Sequence, residues 1–216
     1  MDAEIFRDRE DAGRRLAERL LDYEGRGALV LAIPRGGVPI GYQIAKRIGA
    51  RLDVIVLRKI PIPWNPEAGF GAVTADGTVV LNESMVRGLG MSEEQIRRAV
   101  EEVRNEIVRR TRIYRNGSLE LPDVAGRPVI LVDDGLASGY TMLAAIQSLE
   151  KHKPSEIVVA VPVASSGAAR LVRPRVDNFV ALIIGERLPF AVADFYQHWS
   201  DLTDEEVMSY LERASV

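Results

Sequence analysis

The sequence predicts an α/β fold built on a doubly wound parallel sheet, with an antiparallel hairpin inserted between its strands. Three observations carry that prediction. Short apolar runs suited to strands buried on both faces alternate with segments of helical spacing; two of those runs end in polar, glycine-bearing turns; and a proline-containing interval interrupts the alternation. At 216 residues, 47% hydrophobic and 27% charged, the chain is ample for one core and short for two, so one domain over residues 1–216 is expected.

Each element follows in order. Asp11 to Tyr23 carries Leu16, Leu20 and Leu21 at helical spacing, and Gly25 and Gly27 punctuate the chain before the apolar run Ala28 to Ile33, the first core strand. After a glycine turn, Val38 to Ile48 reads as helix and Asp53 to Leu57 as the second strand. The interval Pro61 to Leu81 holds three prolines and then Ala72 to Val80, where Asp76-Gly77 signals a two-residue hairpin. Met91 to Arg115 is a long helix with Ser92 and Gln95 as a capping box. Its seven arginines include Arg97, Arg98 and Arg110, each four residues after Glu93, Glu94 and Glu106, so a solvated, ion-paired surface is expected. Arg109, Arg112 and Arg115 share a face near its end, which suits either a dimer contact or an anion site. Val129 to Val132 is a buried strand running into the helical segment Met142 to Ile146, and Ile157 to Val163 and Phe179 to Ile184 are later strands. Thr203 and Glu206 form a capping box that opens a final amphipathic helix.

Composition excludes several function classes. There is no cysteine, so disulfides and thiolate chemistry are absent, and His152 and His198 are too few and too far apart in sequence to suggest zinc. No apolar run approaches about 18 residues and the first eight residues alternate acid and base, so a soluble, cytoplasmic protein without a membrane span or signal peptide is expected. The net charge of −3 argues against bulk nucleic-acid binding, although 24 of the 28 basic residues are Arg, which can clamp phosphates locally.

The chemistry concentrates in Val129-Ile-Leu-Val-Asp-Asp-Gly-Leu-Ala-Ser-Gly-Tyr-Thr141. Asp133 and Asp134 fall at the carboxyl end of a buried strand, where open α/β sheets bind ligands, and two adjacent acids there can accept hydrogen bonds from vicinal ribose hydroxyls. Gly135, Leu136, Ala137, Ser138, Gly139, Tyr140 and Thr141 then lead into a helix, so backbone N–H groups and the Ser138 and Thr141 hydroxyls converge on a place suited to a phosphate. The first core strand ends in Pro34-Arg35-Gly36-Gly37. Its glycines free the backbone to offer N–H groups, Arg35 adds a planar donor, and Arg58 and Lys59 are expected to emerge from the neighbouring strand end. A dinucleotide fold is a poor competitor, because Gly36-Gly37-x-x-x-Gly41 is not Gly-x-Gly-x-x-Gly and Asp53 begins the second strand rather than ending it.

On these residues the chain resembles the type I phosphoribosyltransferases, whose signature is four apolar residues, two acids, a short loop and a closing Ser/Thr-Gly-x-Thr. The recurrence of Phe6-x-Asp-Arg9, Pro34 to Pro39, Arg58-Lys59 and Val132 to Gly135 makes it similar, over nearly all its length, to bacterial and archaeal proteins described as predicted phosphoribosyltransferases. The resemblance implies a glycosyltransferase that moves the phosphoribosyl group of 5-phosphoribosyl 1-pyrophosphate to a nitrogenous base and releases pyrophosphate. It implies that Asp133 and Asp134 act on the ribose hydroxyls, Gly135 to Thr141 on the 5′-phosphate, and Arg35, Gly36 and Gly37 on pyrophosphate, with Arg58 and Lys59 beside them. Mg²⁺ would be carried mostly by substrate oxygens, with Asp133 or Asp134 reaching it through a water. A flexible cover from the insertion at about 61–120, a hood built from the chain termini and including about 188–216, and a homodimer are also expected. Ala137 stands where hypoxanthine and guanine enzymes carry an acid and adenine enzymes carry alanine, so the loop leaves the base unidentified. Ala164 to Ala168 and Asp194 to Trp199 are candidates for base recognition, and helix capping by Ser165 or Ser166 and packing by Phe195, Tyr196 and Trp199 are the plainer alternatives. The competing function is a non-catalytic regulator that binds phosphoribosyl pyrophosphate.

Overall fold

The computed structural model describes residues 5–186 and 189–215. Asp8 caps helix α1 (Arg9–Ala17) by accepting the Asp11 amide, and a 3-10 turn (Leu21–Tyr23) follows. The predicted helix is therefore shorter, because Arg19 and Leu20 donate to carbonyls three residues back and tighten its end. Strand β1 (Leu29–Ala32), helix α2 (Gly37–Ile48) and strand β2 (Arg51–Val54) come next. An antiparallel sheet of β3 (Leu57–Ile62), β4 (Asn65–Thr74) and β5 (Val79–Leu81) interrupts the parallel pattern, followed by helices α3 (Glu83–Gly88) and α4 (Glu93–Tyr114). The chain then returns through β6 (Pro128–Val132), α5 (Tyr140–Glu150), β7 (Glu156–Ser165), α6 (Ser166–Val172), β8 (Asn178–Gly185) and α7 (Asp204–Ala214).

The main sheet has five parallel strands in the order β2-β1-β6-β7-β8. Side chains alternate across it. Val30, Ala32, Ile130 and Val132 pack with Leu16, Ile40 and Ile44 of α1 and α2, whereas Leu29, Leu31, Val129 and Leu131 pack with Met142, Leu143 and Ile146 of α5. Every residue of β1 and β6 is buried, as a strand covered on both faces requires. The sheet is thus doubly wound. Residues near the two termini form the expected hood: Phe6 donates to the Phe195 carbonyl at 2.8 Å, and the Gln197 and His198 amides donate back to Phe6 and Arg7. Leu188, where the C-terminal hood was expected to begin, lies outside the described residues.

Two local expectations are corrected. The second strand ends at Val54 and a new one begins at Leu57, so the predicted strand Asp53 to Leu57 straddles the join between two sheets. The hairpin between β4 and β5 has a three-residue loop rather than a two-residue one: Thr74 and Thr78 pair, Gly77 donates to the Thr74 carbonyl at 3.0 Å, and Gly77 is left-handed at φ +83° while Asp76 is not. A two-residue type I′ turn needs both central residues left-handed. Asp76 instead turns its carboxylate inward to the Thr78 amide and hydroxyl, the Thr74 hydroxyl and Lys151. Both predicted capping boxes are present, at Ser92 with Gln95 and at Thr203 with Glu206. No helix is long and apolar enough to cross a membrane among the described residues.

Candidate functional site

Strand order locates the candidate site. After β1 the chain crosses to β2 on one side, and after β6 it crosses to β7 on the other, so the crevice between the carboxyl ends of β1 and β6 is the topological switch point. Ala32 and Val132 are register partners there, which brings Pro34 to Gly37 alongside Asp133 and Asp134. The two chemical motifs, about a hundred residues apart in sequence, meet at one edge.

The contact between them is tight. A Cβ on Gly36 would lie 1.8 Å from Asp134 Oδ2, and one on Gly37 would lie 2.6 Å from the Val132 carbonyl oxygen. Gly36 is therefore a steric requirement of the Asp134 side chain. The Gly37 amide donates to the Ile33 carbonyl at 3.0 Å, which corrects the expectation that both glycines offer N–H groups to an anion. Gly37 supplies space, because it is already the first residue of α2. The peptide between Pro34 and Arg35 is cis, and Arg35 is half-buried with no ion-pair partner among the described residues.

The loop after β6 keeps its donors open. Leu136 bridges to β7 by donating to Val163 and accepting from Ser165, and the Ser165 hydroxyl donates to the Ala137 carbonyl. Ser165 also caps α6 by accepting the Ala168 amide. Segment 164–168 is thus a structural brace for the loop. Gly135 is held against Val163 and Val192. Beyond it, Ala137 and Ser138 are exposed, and Gly139 takes a left-handed φ of +83° at the N-cap of α5. Among the described residues the amides of Ala137, Ser138, Gly139, Tyr140 and Thr141 find no protein acceptor, nor do the hydroxyls of Ser138 and Thr141 a partner. Converging unpaired N–H groups at a helix start attract an anion.

The acids lie in a partly buried, crowded place. Asp133 accepts the Asp134 amide at 2.8 Å, and its carboxyl is pushed well above the usual carboxylate range by burial and then by the neighbouring Asp134 charge. Burial also raises Asp134, while Arg9 opposes the rise. Arg9 is a residue to which the sequence reading gave no role. Its Nε donates to Asp134 Oδ2 at 2.9 Å, and the Tyr196 hydroxyl donates to the Asp134 carbonyl at 2.7 Å. The available signal was the recurring Phe6-x-Asp-Arg9 motif, which carries no chemistry of its own. Tyr196 is buried and packs on Phe6 and Trp199, in line with the packing alternative for the aromatic cluster.

Arg58 and Lys59 do not leave the end of β2. They lie within β3 of the second sheet, paired with Val73 and Ala72, because the β2 strand has already ended. Arg58 meets Glu106 at 3.3 Å, and Glu106 also takes Arg109 and Arg110 at 2.8 Å each. These arginines, chiefly Arg109, hold the Glu106 carboxyl down to about 2. Burial, then the Arg110 charge, lowers Arg58, with Arg35 contributing, so the cluster electrically adjoins the Arg35 loop. The face expected for Arg109, Arg112 and Arg115 is split: Arg109 turns to Glu106 and Asp204, and Arg115 forms a buried pair with Asp53 at 3.0 Å. Glu94 meets Arg98 and Glu106 meets Arg110, whereas Glu93 and Arg97 form no ion pair among the described residues.

The residues present do not form a protein-built metal cage: among the described residues no three acids or histidines gather. Arg9 occupies one oxygen of Asp134, Oδ2.

Known proteins resemble this chain in sequence and in fold. The family model of the phosphoribosyl transferase domain matches residues 3–199. The crystal structure of TT1426 from Thermus thermophilus is 36% identical and superposes with a TM-score of 0.79, covering 97% of this chain and 98% of that one. Two proteins of Mycobacterium tuberculosis, the provisionally named phosphoribosyl transferases MT0597 and Rv0571c, are each 38% identical over 210 residues, which is 97% of this chain and 47% of theirs. The chain spans about half the length of these curated relatives. AQ2163 from Aquifex aeolicus, 13% identical with a TM-score of 0.54 over 83% of this chain and 76% of that one, shares the fold alone.

Proposed function

Since the chain belongs to the phosphoribosyl transferase domain family, we propose that it transfers the phosphoribosyl group of 5-phosphoribosyl 1-pyrophosphate to a nitrogenous base and releases pyrophosphate. One observation carries the reading: unpaired amides from Ala137 to Thr141 open beside the acid pair Asp133 and Asp134 at the switch point. An anion cradle and two carboxylates at adjacent positions match the two ends of a ribose 5-phosphate. The cradle, with the Ser138 and Thr141 hydroxyls, holds the 5′-phosphate, and Asp133 and Asp134 accept hydrogen bonds from the ribose hydroxyls.

The reaction then needs no protein nucleophile. The C1–oxygen bond breaks with its electron pair leaving on pyrophosphate, a ring nitrogen of the base forms the new bond to C1, and the base's surplus proton passes to solvent. Fixing the sugar at both ends presents C1 in one orientation, and the acid pair favours the positive charge that builds on the ring. Arg35 and the Gly36 amide receive the departing charge. Mg²⁺, carried on the donor's oxygens, would supply further neutralisation of that charge.

The test is pyrophosphate release from phosphoribosyl pyrophosphate and Mg²⁺ with a panel of free bases. Turnover on at least one base is expected. Binding of the donor without turnover on any base would assign the regulator role, and no binding at all would overturn the reading.

A further inference from the structure

Arg9 has a side chain only 10% exposed, and its guanidinium is engaged in three directions. Nε donates to Asp134 Oδ2 at 2.9 Å, an NH₂ group donates to the Ser200 carbonyl at 2.8 Å, and the plane lies 3.8 Å from the centre of the Trp199 ring. Only a planar fork satisfies a carboxylate, a carbonyl and an aromatic face together; a lysine could meet one of them. Arg9 also stands where the N-terminal segment leaves its pairing with residues 195–198 and enters α1. The hood grips Asp134 a second time through the Tyr196 hydroxyl on the main-chain oxygen. Side chain and backbone of one acid are therefore both held by the hood, from a residue 125 positions away and one 62 away.

We propose that Arg9 is the positioning residue of the acid pair, a single guanidinium that orients Asp134 and ties it to the hood, so that seating the hood and aiming the acid are one event. Two consequences follow. Asp134 keeps its aim only while Trp199 and Ser200 are seated, and a ligand bound at Asp134 is felt at Trp199. The ligand arm of the test rests on the phosphoribosyl reading; the ligand-free arm does not.

The chain has two tryptophans, and Trp64 is 60% exposed on the turn between β3 and β4, so Trp64→Phe leaves Trp199 as the sole tryptophan, excited selectively at the red edge. In that background and without ligand, Arg9→Gln and Asp134→Asn should each shift Trp199 emission, and the double variant should add little to either. An unchanged emission in Asp134→Asn, or fully additive shifts, would overturn the proposal. With Mg²⁺ and phosphoribosyl pyrophosphate as the probe, Arg9→Gln should bind about tenfold or more weakly, and Arg9→Lys should recover part of the loss. Wild-type affinity or tighter binding in Arg9→Gln would also overturn it, the latter by making Arg9 a competitor for the site. Circular dichroism confirms that each variant is folded, and a wild-type protein that binds no donor would sink the phosphoribosyl reading while the emission arm still judges Arg9.

Discussion

The edge between β1 and β6 and the sheet β3-β4-β5 with its helix α4 use polar groups in opposite ways. In the second region they close on one another: Glu106 takes Arg58, Arg109 and Arg110, and Asp76 takes Thr74, Thr78 and Lys151. In the first they are held by the scaffold yet left open. The amides from Ala137 to Thr141 have no protein acceptor among the described residues, Arg35 has no ion-pair partner there, and burial beside Asp134 raises the Asp133 carboxyl. Satisfied networks stabilise a structure, whereas preorganised and unsatisfied ones are where a ligand completes the hydrogen bonding. The difference separates a framework region from a site.

The largest expected effect breaks the first region directly. Asp134→Asn should lower kcat/KM by about a hundredfold or more with folding intact, because a misaimed sugar loses the attack geometry; steady-state kinetics with the accepted base would check it. Next comes Gly36→Ala, whose new Cβ would fall 1.8 Å from Asp134 Oδ2. It should cost ~1–3 kcal/mol in denaturant titration and much of the activity, as overpacking does. Gly88→Ala is its control: nothing lies within 4 Å and its φ is not left-handed, so stability should hold or rise slightly.

A third experiment sharpens the contrast through pH. Asp133 has its carboxyl raised by burial and by Asp134, so between its ordinary value and the raised one the folded protein binds a proton that the unfolded chain releases. Its contribution to stability is full below the ordinary value of 3.8 and is lost as pH rises through the raised one. Asp133→Asn should therefore raise the Tm by more as pH is taken up from 3.8 through the raised value, while lowering activity, the trade-off of a functional site. An unchanged Tm would contradict the stored cost. The smallest effect lies in the second region, with the opposite sign. Glu106 is lowered to about 2 from 4.5, so its stabilisation is present above 4.5 and lost as pH falls towards 2. Glu106→Gln should lose this small, solvent-screened stabilisation at neutral pH and show a flatter acid limb, the two proteins converging as pH falls towards 2.

Much of the molecule was legible in the sequence because its signals are local. Ser92 with Gln95 and Thr203 with Glu206 are capping boxes spanning one helical turn, and both formed. The short apolar runs read as strands buried on both faces because solvent cannot reach either side of them, and β1 and β6 are buried throughout. The acid pair ends a strand because the apolar run ends there. Arg58 and Lys59 depart from expectation for a related reason: Ile55 and Val56 continue the apolar run, and hydrophobicity alone does not mark where one sheet stops and another starts.

What the sequence determined by itself was the alternation of strands and helices, the caps, and an acid pair followed by an open loop at a strand's carboxyl end. Tertiary structure alone decided that Gly36 would press against Asp134, that Arg9 would hold it, that Gly37 would give up its amide to Ile33, and that Arg58 would join the helix-local partners of Glu106. The reason is the range of the forces that encode each. Periodicity and capping act between residues one turn apart and leave a pattern in the chain, whereas a guanidinium finds a carboxylate 125 residues away only after the hydrophobic core has brought the start of α1 to the end of β6.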